Sequence, residues 1–196
     1  LNGGEAVSRY PGSPWLAGYL TRPGDHVRLC ELHPVDVQTL KANMARWTRV
    51  AVEARDGYQA LKAFLPPVER RGLVLIDPPF EARDEFETAL GALAEARRRW
   101  PGGTYLIWRP LKRIEEADAF DLAALAETDA ETGLRADLWV RSIIPTGPLV
   151  GAGLIVINPP YLLRDQLAGL LPYLAETLSQ GPGAGWRLDN PAGPRP

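Results

Sequence analysis

Leu73-Val-Leu-Ile-Asp77-Pro78-Pro79-Phe80 is the stretch from which the rest of the chain is read. The apolar run after Gly72 reads as a strand, and it delivers an acid, two prolines and an aromatic to its carboxyl end. Proline has no N–H for a sheet ladder and its ring fixes φ, so the strand stops here and the prolines hold their carbonyls with little entropy left to lose. Open α/β sheets bind ligands at the carboxyl ends of their strands. The stretch therefore predicts a sheet and marks the edge of it that does chemistry.

On both sides of this stretch, strand-like apolar runs alternate with amphipathic segments, as in a parallel sheet covered by helices. The expected strands are Ala6 to Tyr10, His26 to Glu31, Val50 to Ala54, Gly72 to Asp77 and Gly103 to Trp108. Between them lie the expected helices Pro34 to Trp47, opening on a proline suited to a helix start, Tyr58 to Leu65, and Arg83 to Trp100, with Phe86, Leu90, Leu93 and Ala94 at helical spacing. A helix around Ile114 to Glu127 leads to two further strands, Arg135 to Ile144 and Leu154 to Asn158. Their link, Pro145 to Gly153, has no room for a crossover helix, so the last strand is expected to return antiparallel to its neighbour. Leu162 to Leu178 reads as a closing helix. The predicted fold is α/β and Rossmann-like, with a mostly parallel seven-stranded sheet whose last strand is antiparallel, over residues 1–180. Residues 181–196, rich in Gly and Pro, are expected to form a flexible tail. The chain opens at Leu1, not at a methionine and directly on the first expected strand, so sequence upstream is expected.

The 196 residues carry a formal net charge of -2, which argues against a surface coated with phosphate-binding charge and makes any nucleic-acid contact local. Arg70 with Arg71, Arg97 to Arg99, and Lys112 with Arg113 are the candidate patches. A single cysteine, Cys30, forms no internal disulfide, and with only His26 and His33 beside it a clustered metal site is not expected; a reducing cytoplasm is the natural compartment. No apolar run is long enough to span a membrane.

An Asp-Pro-Pro-aromatic tetrapeptide at a strand end resembles the amino-methyltransferase motif, in which the acid and the first proline carbonyl accept the two amine hydrogens and the ring stacks on the base. The chemistry needs both acceptors. An adenine N6 lone pair is delocalised into the ring, and holding its hydrogens in place helps it toward a tetrahedral, nucleophilic geometry. A second copy, Asn158-Pro-Pro-Tyr161, follows the last expected strand. If that strand is reversed, this copy falls at the edge opposite the ligand site and is a structural turn, which leaves Asp77, Pro78, Pro79 and Phe80 as the catalytic set. Phe80 is expected over the target base and outside the hydrophobic core.

Upstream, Tyr10-Pro-Gly12-Ser13-Pro14 follows the first strand, where nucleotide-binding folds place a glycine loop; Gly12 can let a ligand approach the backbone and Ser13 can donate to a carboxylate. Glu31 ends the second strand about twenty residues on, where doubly wound folds place an acid for ribose hydroxyls. Asp56 and Gly57 end the third, where a carboxylate can accept from an adenine amine. His33 reads as a helix-start surface residue, and Trp15, Trp47, Trp100, Trp108 and Trp139 as core or rim.

Taken together, Tyr10 to Pro14, Cys30-Glu31-Leu-His-Pro34, Asp56-Gly57, Arg71 to Phe80 and Gly153 to Pro160 resemble, in order and spacing, the RlmJ family of bacterial 23S ribosomal RNA adenine-N6 methyltransferases. The resemblance implies a class I S-adenosylmethionine-dependent methyltransferase core. It implies that Tyr10, Gly12, Ser13, Glu31, Asp56 and Gly57 line the S-adenosylmethionine site, that Asp77 is the catalytic acceptor, and that the partner is ribosomal RNA with an exposed adenine. From composition no metal is expected, and the oligomeric state is left open with a monomer favoured. Phe80 stands where many relatives have Tyr, and the family has an amino-terminal region with cofactor-contacting histidines that this sequence lacks. The same fold also accommodates a DNA adenine or protein glutamine amino-methyltransferase, or an inactive nucleotide- or RNA-binding module.

Overall fold

The structure, a computed structural model, describes residues 10–80, 84–127, 133–144 and 147–192. The first expected strand, Ala6 to Tyr10, lies outside the described residues except for Tyr10. The chain divides into two compact units, Leu1–Ala63 and Phe64–Pro196.

In the first unit the order is α1 (Ser13–Leu20), β1 (Val27–Glu31), α2 (Pro34–Met44), β2 (Val50–Ala54) and α3 (Gly57–Phe64). The strands β1 and β2 pair in parallel, Val27 with Val50 through Glu31 with Ala54, so their carboxyl ends are level. Helix α2 starts as its sequence predicts, with Pro34 in the first turn and His33 as N-cap accepting from the Asp36 N–H. Helix α1 was not expected from sequence. Its carboxyl end is held by the Arg49 guanidinium, which donates to the carbonyls of Gly18 and Thr21, and Trp15 meets Trp47 edge-on at 5.8 Å.

The second unit holds β3 (Leu73–Ile76), α4 (Glu85–Arg99), β4 (Thr104–Pro110), α5 (Ile114–Glu127), β5 (Gly133–Trp139), β6 (Gly151–Ile157), α6 (Leu163–Thr177) and β7 (Gly185–Asp189). Its sheet has the order β3-β4-β6-β5-β7. β3 runs parallel to β4, while β6 lies antiparallel between β4 and β5. The reversed strand is therefore the one expected, joined to β5 by the short Gly- and Pro-rich link. The expected strand 135–144 is shorter at its end, because β5 stops at Trp139.

The carboxyl-terminal stretch corrects the expectation of a loosely held tail: residues 185–189 form β7, antiparallel to β5. Buried charge fixes it. Arg187 donates to Asp137 at 2.6 and 2.8 Å and to Asp118 at 2.7 Å, and Arg135 clasps Asp189 at 2.6 and 2.7 Å. Asp137 also accepts from Arg109, which makes a bidentate pair with Asp121; Arg109, Asp121 and Asp137 are all fully buried. Charges this deep are tolerable only when paired and hydrogen-bonded. Gly153 makes the room: it sits between Arg109 and Asp137 in register, and a Cβ there would lie 2.1 Å from Asp137 Oδ1 and 2.6 Å from Arg109 Nη1.

Candidate active site

Strand direction sorts the two Pro-Pro motifs. Ile76 pairs with Ile107 near the carboxyl end of β4, whereas Ile157 pairs with Tyr105 near its start. Asp77 and Asn158 follow those residues, so they stand at opposite edges of one sheet. Asn158 is occupied with structure. Its amide donates to the carbonyls of Pro101 and Gly103, both at 2.9 Å, its own carbonyl accepts from Thr104 Oγ1 at 3.0 Å, and its φ of 52° uses the tolerance of asparagine for the left-handed region.

At the other edge, the Asp77 side chain is reachable from solvent, yet the chain around it strips enough water from the carboxyl to push its pKa above the usual aspartate value. A raised pKa makes the ionised carboxylate a better proton acceptor. Pro78 is half-buried and Pro79 exposed. Phe80 also has φ 52°, a conformation that costs a non-glycine residue about 1 to 2 kcal/mol. Packing holds it there: its ring lies 4.9 Å from Phe86 and 5.9 Å from Trp108, and Phe86 lies 4.9 Å from the buried Phe120. This corrects the expectation that Phe80 stands clear of the core, since one side of the ring belongs to an aromatic cluster that runs inward. The ring is only half-buried, so the cluster does not enclose it. Sequence reasoning took Trp108 for core or rim. Continuing the Ile76–Ile107 register by one residue sets Trp108 beside Asp77, and that alignment of strand ends is the signal that could have found it.

In the first unit, β1 and β2 bring Glu31 and Asp56 to one carboxyl edge. Glu31 Oε1 accepts from the His33 N–H at 2.8 Å, which orients the carboxylate and leaves Oε2 open among the described residues. Asp56 Oδ1 accepts from the Tyr58 N–H at 2.8 Å and so caps α3, with Gly57 as its first residue. A Cβ on Gly57 would meet nothing nearer than Cys30 Cβ at 4.0 Å, so space is open above this strand end. Ser13 is exposed at the start of α1 after Gly12, which takes the N-cap position without a side-chain bond, and Tyr10 is 87% exposed. Two carboxylates at adjacent strand ends beside an open glycine fit the hydroxyls and amine of an adenosine group. Burial pushes the Cys30 thiol up, which argues against thiolate chemistry here. Among the described residues no cluster of His, Cys, Asp or Glu could hold a metal, and no helix is long and apolar enough to cross a membrane.

Parallel strands ending in acids, a reversed strand inserted between β4 and β5, and an Asp-Pro-Pro-aromatic strand end define a Rossmann-like fold of the class I S-adenosylmethionine-dependent methyltransferase type. The family described as "Ribosomal RNA large subunit methyltransferase D, RlmJ" matches residues 1–190, and the chain belongs to it. It is 37% identical over 187 residues to Ribosomal RNA large subunit methyltransferase J of Haemophilus influenzae, covering 95% of this chain and 66% of that protein. It is 39% identical over 175 residues to the Escherichia coli K12 protein of the same name, covering 86% and 60%. The crystal structure of protein LPL1258 from Legionella pneumophila superposes with a TM-score of 0.81 at 31% identity, covering 92% of this chain and 66% of that one. The chain thus spans 60 to 66% of the length of these relatives.

Proposed function

We propose that the chain carries the catalytic core of an enzyme that transfers a methyl group from S-adenosylmethionine to the N6 amine of an adenine in 23S ribosomal RNA. The observation that carries this reading is the Asp77-Pro78-Pro79-Phe80 corner, where an acid of raised pKa, rigid proline carbonyls and a strained aromatic sit together at the ligand-binding edge of the sheet. S-adenosylmethionine supplies an electrophilic sulfonium methyl when bound. Glu31 would accept from its ribose hydroxyls and Asp56 from its adenine amine, with Gly57, Gly12, Ser13 and Tyr10 as the further lining. In the second unit Asp77 and the Pro78 carbonyl accept the two hydrogens of the target amine, which holds its nitrogen in a nucleophilic geometry, and Asp77 takes the proton released on transfer. Phe80 offers its free side to the base. Attack on the methyl would be direct, with the sulfonium sulfur keeping the electron pair of the broken S–methyl bond and leaving as a neutral thioether, and with no covalent enzyme intermediate. The target base must be exposed, in a single-stranded or splayed segment, and the reaction belongs in the cytoplasm.

The test incubates the full-length protein with labelled S-adenosylmethionine and, in parallel, deproteinised ribosomal RNA, DNA or protein. Label is expected in the RNA as N6-methyladenine. Label in DNA or in glutamine amides moves the same chemistry to another acceptor, and no label with intact cofactor binding leaves an inactive binding module.

A further inference from the structure

The three basic clusters of the sequence fall on different edges of the second unit. Arg70 and Arg71 precede β3, and Arg97 to Arg99 end α4 ahead of β4, so both lie at the amino edge, away from Asp77. Arg98 and Arg99 are moreover paired with Glu95 at 2.8 and 2.6 Å. Only Lys112 and Arg113 follow β4 at the carboxyl edge, and there Arg113 is paired with Glu116 at 2.6 Å.

The same edge carries a cation that sequence alone did not single out. β5 runs in the direction of β4, so Arg141, just beyond Trp139, rises on the Asp77 side of the sheet. Lys112 and Arg141 are exposed and have no ion-pair partner among the described residues. Their strands are separated only by β6, about 10 Å at ordinary strand spacing.

Arg141 also lines a cavity of about 280 Å³ with Ser142, Ile144, Gly147, Pro148 and Val150, one cation above a mainly apolar wall. The wall is braced. The Ser142 N–H and Oγ both donate to the Pro182 carbonyl at 3.0 Å, the Gln180 N–H donates to Val140 at 2.7 Å, and the Gly147 N–H closes a turn onto Ile144 at 2.8 Å. Gly183, at φ 78°, lets the supporting turn approach, since a Cβ there would lie 2.1 Å from Ser142 Oγ.

We infer that Lys112 and Arg141 hold phosphates of the RNA strand flanking the target adenine, and that the cavity beside Arg141 takes a flanking nucleotide, its base against Ile144 and Pro148. This rests on the reading of the chain as an RNA adenine methyltransferase. The chemistry matches on both counts: unpaired cations serve phosphates, and an apolar wall serves the face of a base. From β3 to β5 is three strand spacings, about 14 Å, a span of a few nucleotides. The 196 residues as a whole carry a net charge of -2, which gives no general attraction for RNA, so within this chain the contact falls to local cations.

The test is a fluorescence-anisotropy titration of the full-length protein with a labelled single-stranded adenine-containing RNA over a salt series, with cofactor affinity and Tm measured on each variant. Arg141→Ala and Lys112→Ala should each weaken RNA binding roughly five- to tenfold and flatten the salt dependence by about 0.7 per lost phosphate contact. Arg141→Lys should restore the slope, Ile144→Ser should weaken binding with the slope unchanged, and Arg98→Ala should change nothing. Cofactor affinity and Tm should stay at wild-type values throughout. Wild-type RNA binding with unchanged affinity and slope in Arg141→Ala and Lys112→Ala overturns the inference alone. A wild-type protein that binds no RNA overturns the underlying reading and this surface with it.

Discussion

Asp77 and Asn158 begin two Pro-Pro-aromatic motifs of nearly the same chemistry and lie at opposite edges of a single five-stranded sheet. Asn158 spends its amide on Pro101 and Gly103, at the loop that starts β4. Asn158→Ala should therefore cost about 1 to 3 kcal/mol of stability, the worth of two neutral hydrogen bonds. Chemical denaturation measures it, and an unchanged midpoint would contradict the structural role.

Desolvation raises the folded-state pKa of Asp77, and this has a consequence for stability. A carboxyl whose folded pKa is raised favours the folded state below its unfolded pKa and loses that contribution as pH rises through the folded value. The ionised acid therefore works against folding at neutral pH. Asp77→Asn is predicted to melt slightly higher than wild type at pH 7, the difference vanishing toward about pH 4, the ordinary aspartate range. Melting curves across that range decide it. Identical Tm values at every pH would show that the carboxylate is not desolvated.

The Phe80 ring is shared between an inward aromatic cluster and the open edge. Phe80→Tyr should keep activity within a few-fold, whereas Phe80→Ala should reduce RNA use by about tenfold, the lower end of base stacking on an aromatic. If Trp108 acts by holding Phe80, Trp108→Ala should lower transfer in the wild-type background and add little to Phe80→Ala, with cofactor affinity unchanged in all three. Additive losses in this cycle would give Trp108 a separate role.

Gly153 lies between Arg109 and Asp137 with no room for a methyl group. Gly153→Ala must displace one partner of a buried ion pair, which costs about 3 to 5 kcal/mol. A calorimetric Tm within a degree of wild type would mean that the network is looser than its geometry.

What the sequence disclosed follows from the range of the forces involved. Leu73 to Ile76 was legible as a strand because its four consecutive apolar residues run into two prolines that stop the ladder, although only Ile76 of them is buried, and β6 was legible as reversed because its link to β5 is short. β7 was not, since Gly185–Asp189 carries no apolar run and is held by Arg187 and Asp137, 50 positions apart. Helix α1 was hidden by Pro11, Gly12 and Pro14, which read as a turn although Pro14 serves as an early helical residue. At the site, Asp77 came from a contiguous motif, but Trp108 and Arg141 reach the same edge only through strand register and direction.

Methyl transfer from labelled S-adenosylmethionine to deproteinised ribosomal RNA, measured for full-length proteins carrying Asp77→Ala or Asn158→Ala below the Tm of both, distinguishes the two Pro-Pro corners most directly. Asp77→Ala should keep its cofactor affinity and lose nearly all transfer, and Asn158→Ala, though less stable, should turn over at close to the wild-type rate. Retained turnover in Asp77→Ala, or a folded and inactive Asn158→Ala, would contradict that pattern and shift the chemistry away from the Asp77 edge.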